Sequence, residues 1–327
     1  MLNGQVDVRL ERKLKELYDQ HNERAARIDW SYHDFLPLGQ IKREDMFNDE
    51  IVEKPNPKRS QLSPEVYLAV ETALLTEVNL PWFTTELYNT FKGSLQVLVD
   101  FVHTWTAEED QHSGLLETYL LLTNNGDVMA RHKLRKRVVT AGFETGLQTP
   151  LETMVYTSIQ ERATMVFYLN TAQACESQDP GLATVLRRLA KDETLHYAFY
   201  RDATLAHIQA NPNLVELVTS VMMKFHMPGA GMPDYEQRMA VIAKFAHYGP
   251  SEYYTQVVDE LVKYWEIASL KPDYLPAQDA QRELLAYHNR LGRIAARLNR
   301  LNGKPPAQEE AADRYQYEVR AGVLPPA

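Results

Sequence analysis

Trp105-Thr-Ala-Glu-Glu109-Asp110-Gln111-His112 and Asp192-Glu193-Thr194-Leu195-His196 are two versions of one short pattern, Glu-x-x-His. Each follows a lone acid, Glu77 in the first case and Glu161 in the second. The spacing repeats: 32 positions separate Glu77 from Glu109 and Glu161 from Glu193, and the second set lies 84 positions after the first. On a helix, residues three apart share a face, with Cβ atoms roughly 5–6 Å apart, so each Glu-x-x-His pair can grip one ion. Two such helices, with two more each offering one Glu, would turn four carboxylates and two imidazoles into a bundle interior. The repeat therefore predicts a pseudo-twofold site for two metal ions. Oxygen and imidazole donors suit iron or manganese, and the single cysteine, Cys175, stands apart from the motifs. Spacing alone leaves a second reading open, in which these are solvated helix faces carrying surface ion pairs.

Composition sets the frame. With 327 residues, 44% hydrophobic and 24% charged, the chain can fill one large core. Cys175 has no partner for an intramolecular disulfide and reads as a structural thiol. A net charge of −9 argues against nucleic-acid binding. No apolar run approaches the length of a membrane span, and no secretion signal opens the chain, so a cytoplasmic location is expected.

Helix signals surround the motifs. Residues 5–27 carry a helical apolar period, whereas Trp30 to Lys58 reads as an extended surface segment. Ser63-Pro64-Glu65, Thr149-Pro150 and Asp179-Pro180 each place a capping side chain before a proline at the first helical position. These starts precede Glu77, Glu161 and Glu193 in turn. Pro81 is expected to kink the first helix just beyond Glu77. Leu95 to Leu122 reads as the helix of Glu109 and His112, ended by Asn124-Asn125-Gly126. Helices are also expected over 214–225, 235–247, 251–270 and 277–302, with an irregular loop from Met227 to Pro233. Residues 303–327 form a polar tail expected to be disordered. Arg131 to Arg137 is a basic cluster, readable either as a solvated helix face or as a dock for an acidic carrier protein.

The runs Leu75-Thr-Glu77-Val-Asn-Leu-Pro81, Trp105 to His112, Thr157-Ser-Ile-Gln-Glu161-Arg-Ala-Thr164 and Asp192 to His196 resemble the soluble acyl-acyl-carrier-protein desaturase family, especially its bacterial members. The likeness extends in order from Trp30 and Asp34-Phe-Leu-Pro37 to about Trp265. It implies an all-α, ferritin-like helical bundle with additional N- and C-terminal helices. One domain would span residues 1–302, around a di-iron core at about 63–210. By the same likeness, Glu77, Glu109, His112, Glu161, Glu193 and His196 would hold two Fe2+ ions, with Glu109 and Glu161 bridging them. Trp30, His112 and Asp192 would pass electrons inward, and Thr164 would be the active-site threonine. Each has a plain alternative: a packing aromatic for Trp30, an exposed acid for Asp192, a hydroxyl bonded to its own helix for Thr164.

The implied reaction uses dioxygen to place a double bond in a fatty acyl chain on acyl carrier protein. Electrons would come from a ferredoxin-type donor, and the protein would be a homodimer. The residues between the ligands depart from the family's usual Asn-Arg and Lys-Arg, being Asp110-Gln111 and Thr194-Leu195. That leaves room for an inert paralogue or an acyl hydroxylase, and an iron-oxidising or storage protein would need the same ligands. Storage sits less well with the helices beyond residue 210, and a ribonucleotide-reductase radical subunit would usually offer Asp where Glu77 stands. Thr153 and Met154 match positions that line the acyl channel in relatives, although a methionine at helical spacing is as readily core. Chain length, double-bond position and the choice between carrier protein and coenzyme A are not written in these motifs.

Overall fold

The computed structural model describes residues 7–38 and 62–301, and among these the regular elements are helices, with no strand. Helix α1 (Val8–Arg27) is capped by Asp7 and buries Leu14, Leu17 and His21. The four site-bearing helices are α2 (Pro64–Glu77), α4 (Gln96–Leu122), α6 (Pro150–Cys175) and α7 (Pro180–Ala210). Three of them begin as the sequence predicts. The side chains of Ser63, Thr149 and Asp179 accept hydrogen bonds from the backbone N–H groups of Val66, Glu152 and Leu182, each with proline at the first helical position.

Nearly every residue of α6 from Thr153 to Ala172 is buried, as befits the central rod of a bundle rather than a surface helix. Only four residues separate it from α7, so α7 returns along it, and this pair forms the densest packing in the molecule. α1 lies across α7 and α4, adding a helix to the bundle on the N-terminal side. On the C-terminal side, α8 (Val215–Lys224) packs on α6, and α9 (Tyr235–Phe245) packs on α2. A helical stretch follows, comprising α10 (Pro250–Tyr253), a π-helical turn (Tyr254–Val258) and α11 (Asp259–Tyr264). The long α12 (Leu275–Leu301) closes against α8. The architecture is the expected all-α, ferritin-like bundle with helices added at both ends.

Three local expectations are corrected. Pro81 does more than kink a helix: α2 ends at Glu77, and a separate α3 (Leu80–Phe91) starts with Pro81 in its first turn. A proline there lacks only an N–H that a helix start leaves unpaired anyway. The segment after Trp30 is not simply extended, because Tyr32–Phe35 forms a 3-10 turn with a Ser31/Asp34 capping box. The rest of that segment, from residue 39 to Lys58, lies outside the described residues, as does the proposed tail at 303–327. The basic cluster forms half of a further helix, α5 (Val128–Ala141), and its first arginine is core. Arg131 is buried and donates to the backbone carbonyl of Asn125.

The turn before α5 needs its glycine. Gly126 has φ +75, and an added Cβ would lie 2.3 Å from the Tyr67 ring.

Candidate metal centre

Glu77 ends α2, Glu109 and His112 sit mid-way along α4, Glu161 is near the centre of α6, and Glu193 and His196 share one face of α7. All six meet inside the bundle. They form two overlapping groups, Glu77/Glu109/His112/Glu193 and Glu109/Glu161/Glu193/His196, each with ligand atoms within 4.8 Å of one another. Glu109 links the halves directly, its Oε2 lying 3.1 Å from His112 Nδ1 and its Oε1 2.8 Å from His196 Nδ1. Glu193 Oε1 is 3.5 Å from His112 Nδ1.

The two carboxylates common to both groups are thus Glu109 and Glu193, not the Glu109 and Glu161 expected as bridges. The repeat supplies the reason. An offset of 84 makes Glu193 the counterpart of Glu109 and Glu161 the counterpart of Glu77. A pseudo-twofold site must share equivalent residues, and the lone acids stand on its two flanks. Their geometry matches: Glu77 Oε2 is 3.8 Å from His112 Nδ1, and Glu161 Oε2 is 3.8 Å from His196 Nδ1.

Each imidazole is held from behind by a carboxylate of the other half. His112 Nε2 lies 3.3 Å from Asp192 Oδ2, and His196 Nε2 lies 2.9 Å from Glu108 Oε2. With Nε2 committed as a donor, Nδ1 is the nitrogen aimed at the centre. Asp192 in turn accepts from Trp30 Nε1 at 2.8 Å and pairs with Arg188. Glu108 is met by His21 Nε2 at 3.0 Å. Glu108, His21 and Arg188 were missed in the sequence. For Glu108 the signal existed, because the 84-residue offset carries Asp192 onto it. His21 and Arg188 enter through contacts no spacing reveals.

The electrostatics describe a site short of positive charge. Burial, then the charges of Glu109 and Glu161, push Glu193 well above the usual carboxylate range, and burial raises Glu77 as well. Burial also disfavours a charged Glu109, yet the flanking His112 and His196 more than offset it and hold this acid well below its ordinary value. Burial opposes protonation of the two histidines, but the carboxylates around them prevail and raise both well above the ordinary imidazole value. Glu108, with two imidazole partners outweighing its burial, is lowered to about 2.

His112 Nδ1, His196 Nδ1 and Glu109 Oε1 are buried without an aligned hydrogen-bond partner, although they lie close to one another. Buried polar atoms are normally satisfied. Three orphans converging on one point are what a cation-binding donor set presents, and the residues fit a pair of divalent ions.

Of the other expected residues, Trp30 and Asp192 form the hydrogen-bonded chain to His112. Asp192 is a buried acid and not an exposed one. Thr164 donates to Gln160 O at 3.0 Å on its own helix while also facing an apolar cavity of about 40 Å3. Glu77, Tyr168, Thr72, Thr76 and Met227 share that cavity wall. A smaller cavity of about 20 Å3 is lined by Trp105, Thr153, Thr157 and Gln160. Thr153 therefore lines space beside the centre, whereas Met154 is fully buried core. The residues that depart from the family pattern have other uses. Gln111 accepts from Tyr32 N at 3.0 Å, and Thr194 donates to Ala190 O at 2.7 Å. Cys175 is buried and free, its thiol pushed up to about 12 by burial and by Asp179, which fits a structural role.

A helical bundle that buries four carboxylates and two imidazoles in this arrangement defines a ferritin-like protein of the carboxylate–histidine type. The sequence model of the family described as fatty acid desaturase matches residues 3–316, and the chain belongs to that family of oxidoreductases. DesA1 of Mycobacterium tuberculosis H37Rv, assigned as an acyl-[acyl-carrier-protein] desaturase, is 29% identical over 273 residues, which cover 80% of this chain and 79% of DesA1. Stearoyl-[acyl-carrier-protein] 9-desaturase 6, chloroplastic, of Arabidopsis thaliana is 29% identical over 311 residues, 90% of this chain and 78% of the plant protein. The X-ray structure of DesA2 from Mycobacterium tuberculosis H37Rv, also assigned as an acyl-ACP desaturase, superposes with a TM-score of 0.63 at 21% identity. That match covers 83% of this chain and 98% of DesA2, and it speaks for the fold alone. Among the described residues, no helix is long and apolar enough to cross a membrane.

Proposed function

We propose that this chain is a dioxygen-dependent desaturase of fatty acyl chains carried as thioesters on acyl carrier protein. Its iron ligands are Glu77, Glu109, His112, Glu161, Glu193 and His196. The observation that carries the reading is the pair of donor groups sharing Glu109 and Glu193, with orphaned imidazole nitrogens pointing between them. Family membership and the activities named for DesA1 and the plant relative support the substrate class.

Two bound iron ions, with dioxygen, would supply the oxidising strength needed to take hydrogen from an unactivated alkyl carbon. The balance is one CH2–CH2 unit, one O2, two electrons and two protons giving one CH=CH and two waters. The chain's own residues provide the setting. Asp192 and Glu108 orient the imidazoles from outside the donor set. The apolar cavity beside Glu77 and Thr164 keeps water off the reacting carbon and offers an alkyl chain a place against the centre.

Electrons come from a second protein of ferredoxin type, entering through Trp30, Asp192 and His112. Trp30 is half-buried and borders a surface pocket with Arg187, Arg188 and Lys191; Arg187 and Arg188 are paired with Glu176 and Asp192, so Lys191 is the cation there that suits an acidic donor. Lys133, Lys136 and Arg137 on the exposed side of α5 suit the acidic carrier protein in the same way. The reading extends to a homodimer in the cytoplasm and to one functional domain over residues 1–302.

The test is mass spectrometry of acyl chains after incubating the iron-loaded protein with a panel of acyl carrier protein thioesters, dioxygen and a reducing ferredoxin system. A loss of two hydrogens from one chain length is expected. A gain of oxygen, or no change with iron bound and electrons delivered, would contradict desaturation.

A further inference from the structure

The carboxylates behind the two imidazoles are secured differently. Asp192, behind His112, is buried and takes both Trp30 Nε1 and the Arg188 guanidinium. Glu108, behind His196, has a side chain 24% exposed, and among the described residues its partners are imidazoles alone. Its Oε2 accepts from His196 Nε2 at 2.9 Å and from His21 Nε2 at 3.0 Å, and its Oε1 lies 3.2 Å from the same His21 nitrogen. Of these three residues only His21 comes from outside the four ligand-bearing helices, reaching in from α1. Its ring lies nearly parallel to that of His196, with centroids 6.0 Å apart, and meets Phe101 edge-on at 5.0 Å. Packing does not account for an imidazole here. His21 Nδ1 is buried without a hydrogen-bond partner, a cost that phenylalanine in the same aromatic setting would avoid.

We infer that His21 is a positioning residue for the His196 half of the centre, holding Glu108 against His196 Nε2 so that Nδ1 stays on its ion. The inference rests on the metal-centre reading above. A partly exposed carboxylate can turn toward water, and the grip of His21 on both of its oxygens opposes that. Once Glu108 turns away, His196 loses the acceptor that fixes its ring and strengthens it as a ligand. The ion of the Glu109/Glu161/Glu193/His196 group is then held less tightly, whereas that of the Glu77/Glu109/His112/Glu193 group keeps its own anchor in Asp192. Helix α1 thereby contributes to the centre and does more than cover it.

The test titrates the full chain with cobalt(II) against a competing chelator, which yields an affinity for each of the two ions. His21→Phe keeps a ring among Phe101 and Phe199 and deletes the donor, while His21→Gln keeps a side-chain N–H that can reach Glu108. The expected result for H21F is an unchanged far-UV spectrum with one ion bound about ten-fold more weakly and the other as in wild type. H21Q is expected to recover most of that loss, and His21→Leu carries the comparison if H21F does not fold. Wild-type affinities for both ions in folded H21F, an equal weakening of both, or a loss that H21Q does not recover would overturn the role of His21 and leave the metal centre standing. Wild-type protein that takes up no cobalt would overturn the metal centre, and the role of His21 with it.

Discussion

The two imidazoles carry the most consequential chemistry at the scale of single residues. His112 and His196 are held with Nε2 on a carboxylate and Nδ1 inward, and their surroundings raise their proton affinity above that of a free imidazole. Glu77 and Glu193 are raised too. A divalent ion competes with those protons, so its uptake releases them, and apparent affinity rises as pH rises through the range where the groups would otherwise stay protonated. Calorimetric titration in buffers of different ionisation enthalpy measures the release, and a proton count of zero at pH 7 would contradict it. Trp30→Phe is expected to leave bound iron unchanged and to slow donor-driven turnover about ten-fold, the usual scale for losing an outer partner of a metal ligand. Normal turnover in that variant would remove Trp30 from the electron path. The six donors are legible in the sequence because their spacing is local and repeated. His21, Arg188 and Tyr168 reach the centre through contacts between residues far apart in the chain, which no periodicity encodes. The bridging pair was available from the repeat, because its offset relates Glu109 to Glu193 and Glu77 to Glu161 but never Glu109 to Glu161.

Helix boundaries show where local chemistry suffices. Ser63, Thr149 and Asp179 satisfy N–H groups that a helix start leaves open, and α2, α6 and α7 begin where those residues stand. The break after Glu77 was harder to read, because Pro81 tolerates either a kinked helix or a new one, and the latter occurs. In α5 the charge hid burial and not the helix: a basic run reads as a solvated face, yet Arg131 is buried against the carbonyl of Asn125. Packing between elements adds one buried ion pair, Arg238 of α9 with Glu71 of α2 at 2.9 Å, backed by Thr72. Arg238→Met leaves Glu71 buried without its cation, held by the Tyr67 hydroxyl alone, and is expected to destabilise the fold by about 3 kcal/mol. Adding Glu71→Met is expected to recover much of the loss. Equal unfolding midpoints for wild type and the single variant in urea would contradict this.

For the whole molecule, the surplus of acid makes the basic side of α5 stand out. Arg135 is engaged with Glu117, which leaves Lys136 and Arg137 as the better probes of carrier docking. The double variant Lys136→Glu, Arg137→Glu is expected to weaken acyl carrier protein binding, with wild-type binding itself falling as salt is raised. Salt-independent binding that the variant leaves intact would place the dock elsewhere. Fold class was legible because three capped helix starts, a fourth periodic helix and a doubled motif admit few arrangements besides a bundle. The covering helices were legible as elements near 214–225, 235–247, 251–270 and 277–302, whereas where they pack and what cavities they leave depend on how side chains fill space. The whole account rests on a centre for two ions that shares Glu109 and Glu193, and metal analysis of the iron-loaded chain tests this most directly. Two irons per wild-type chain are expected, with Glu193→Ala and His112→Ala each falling well below that. Iron content in both variants equal to wild type, or a wild type that retains none, would contradict it.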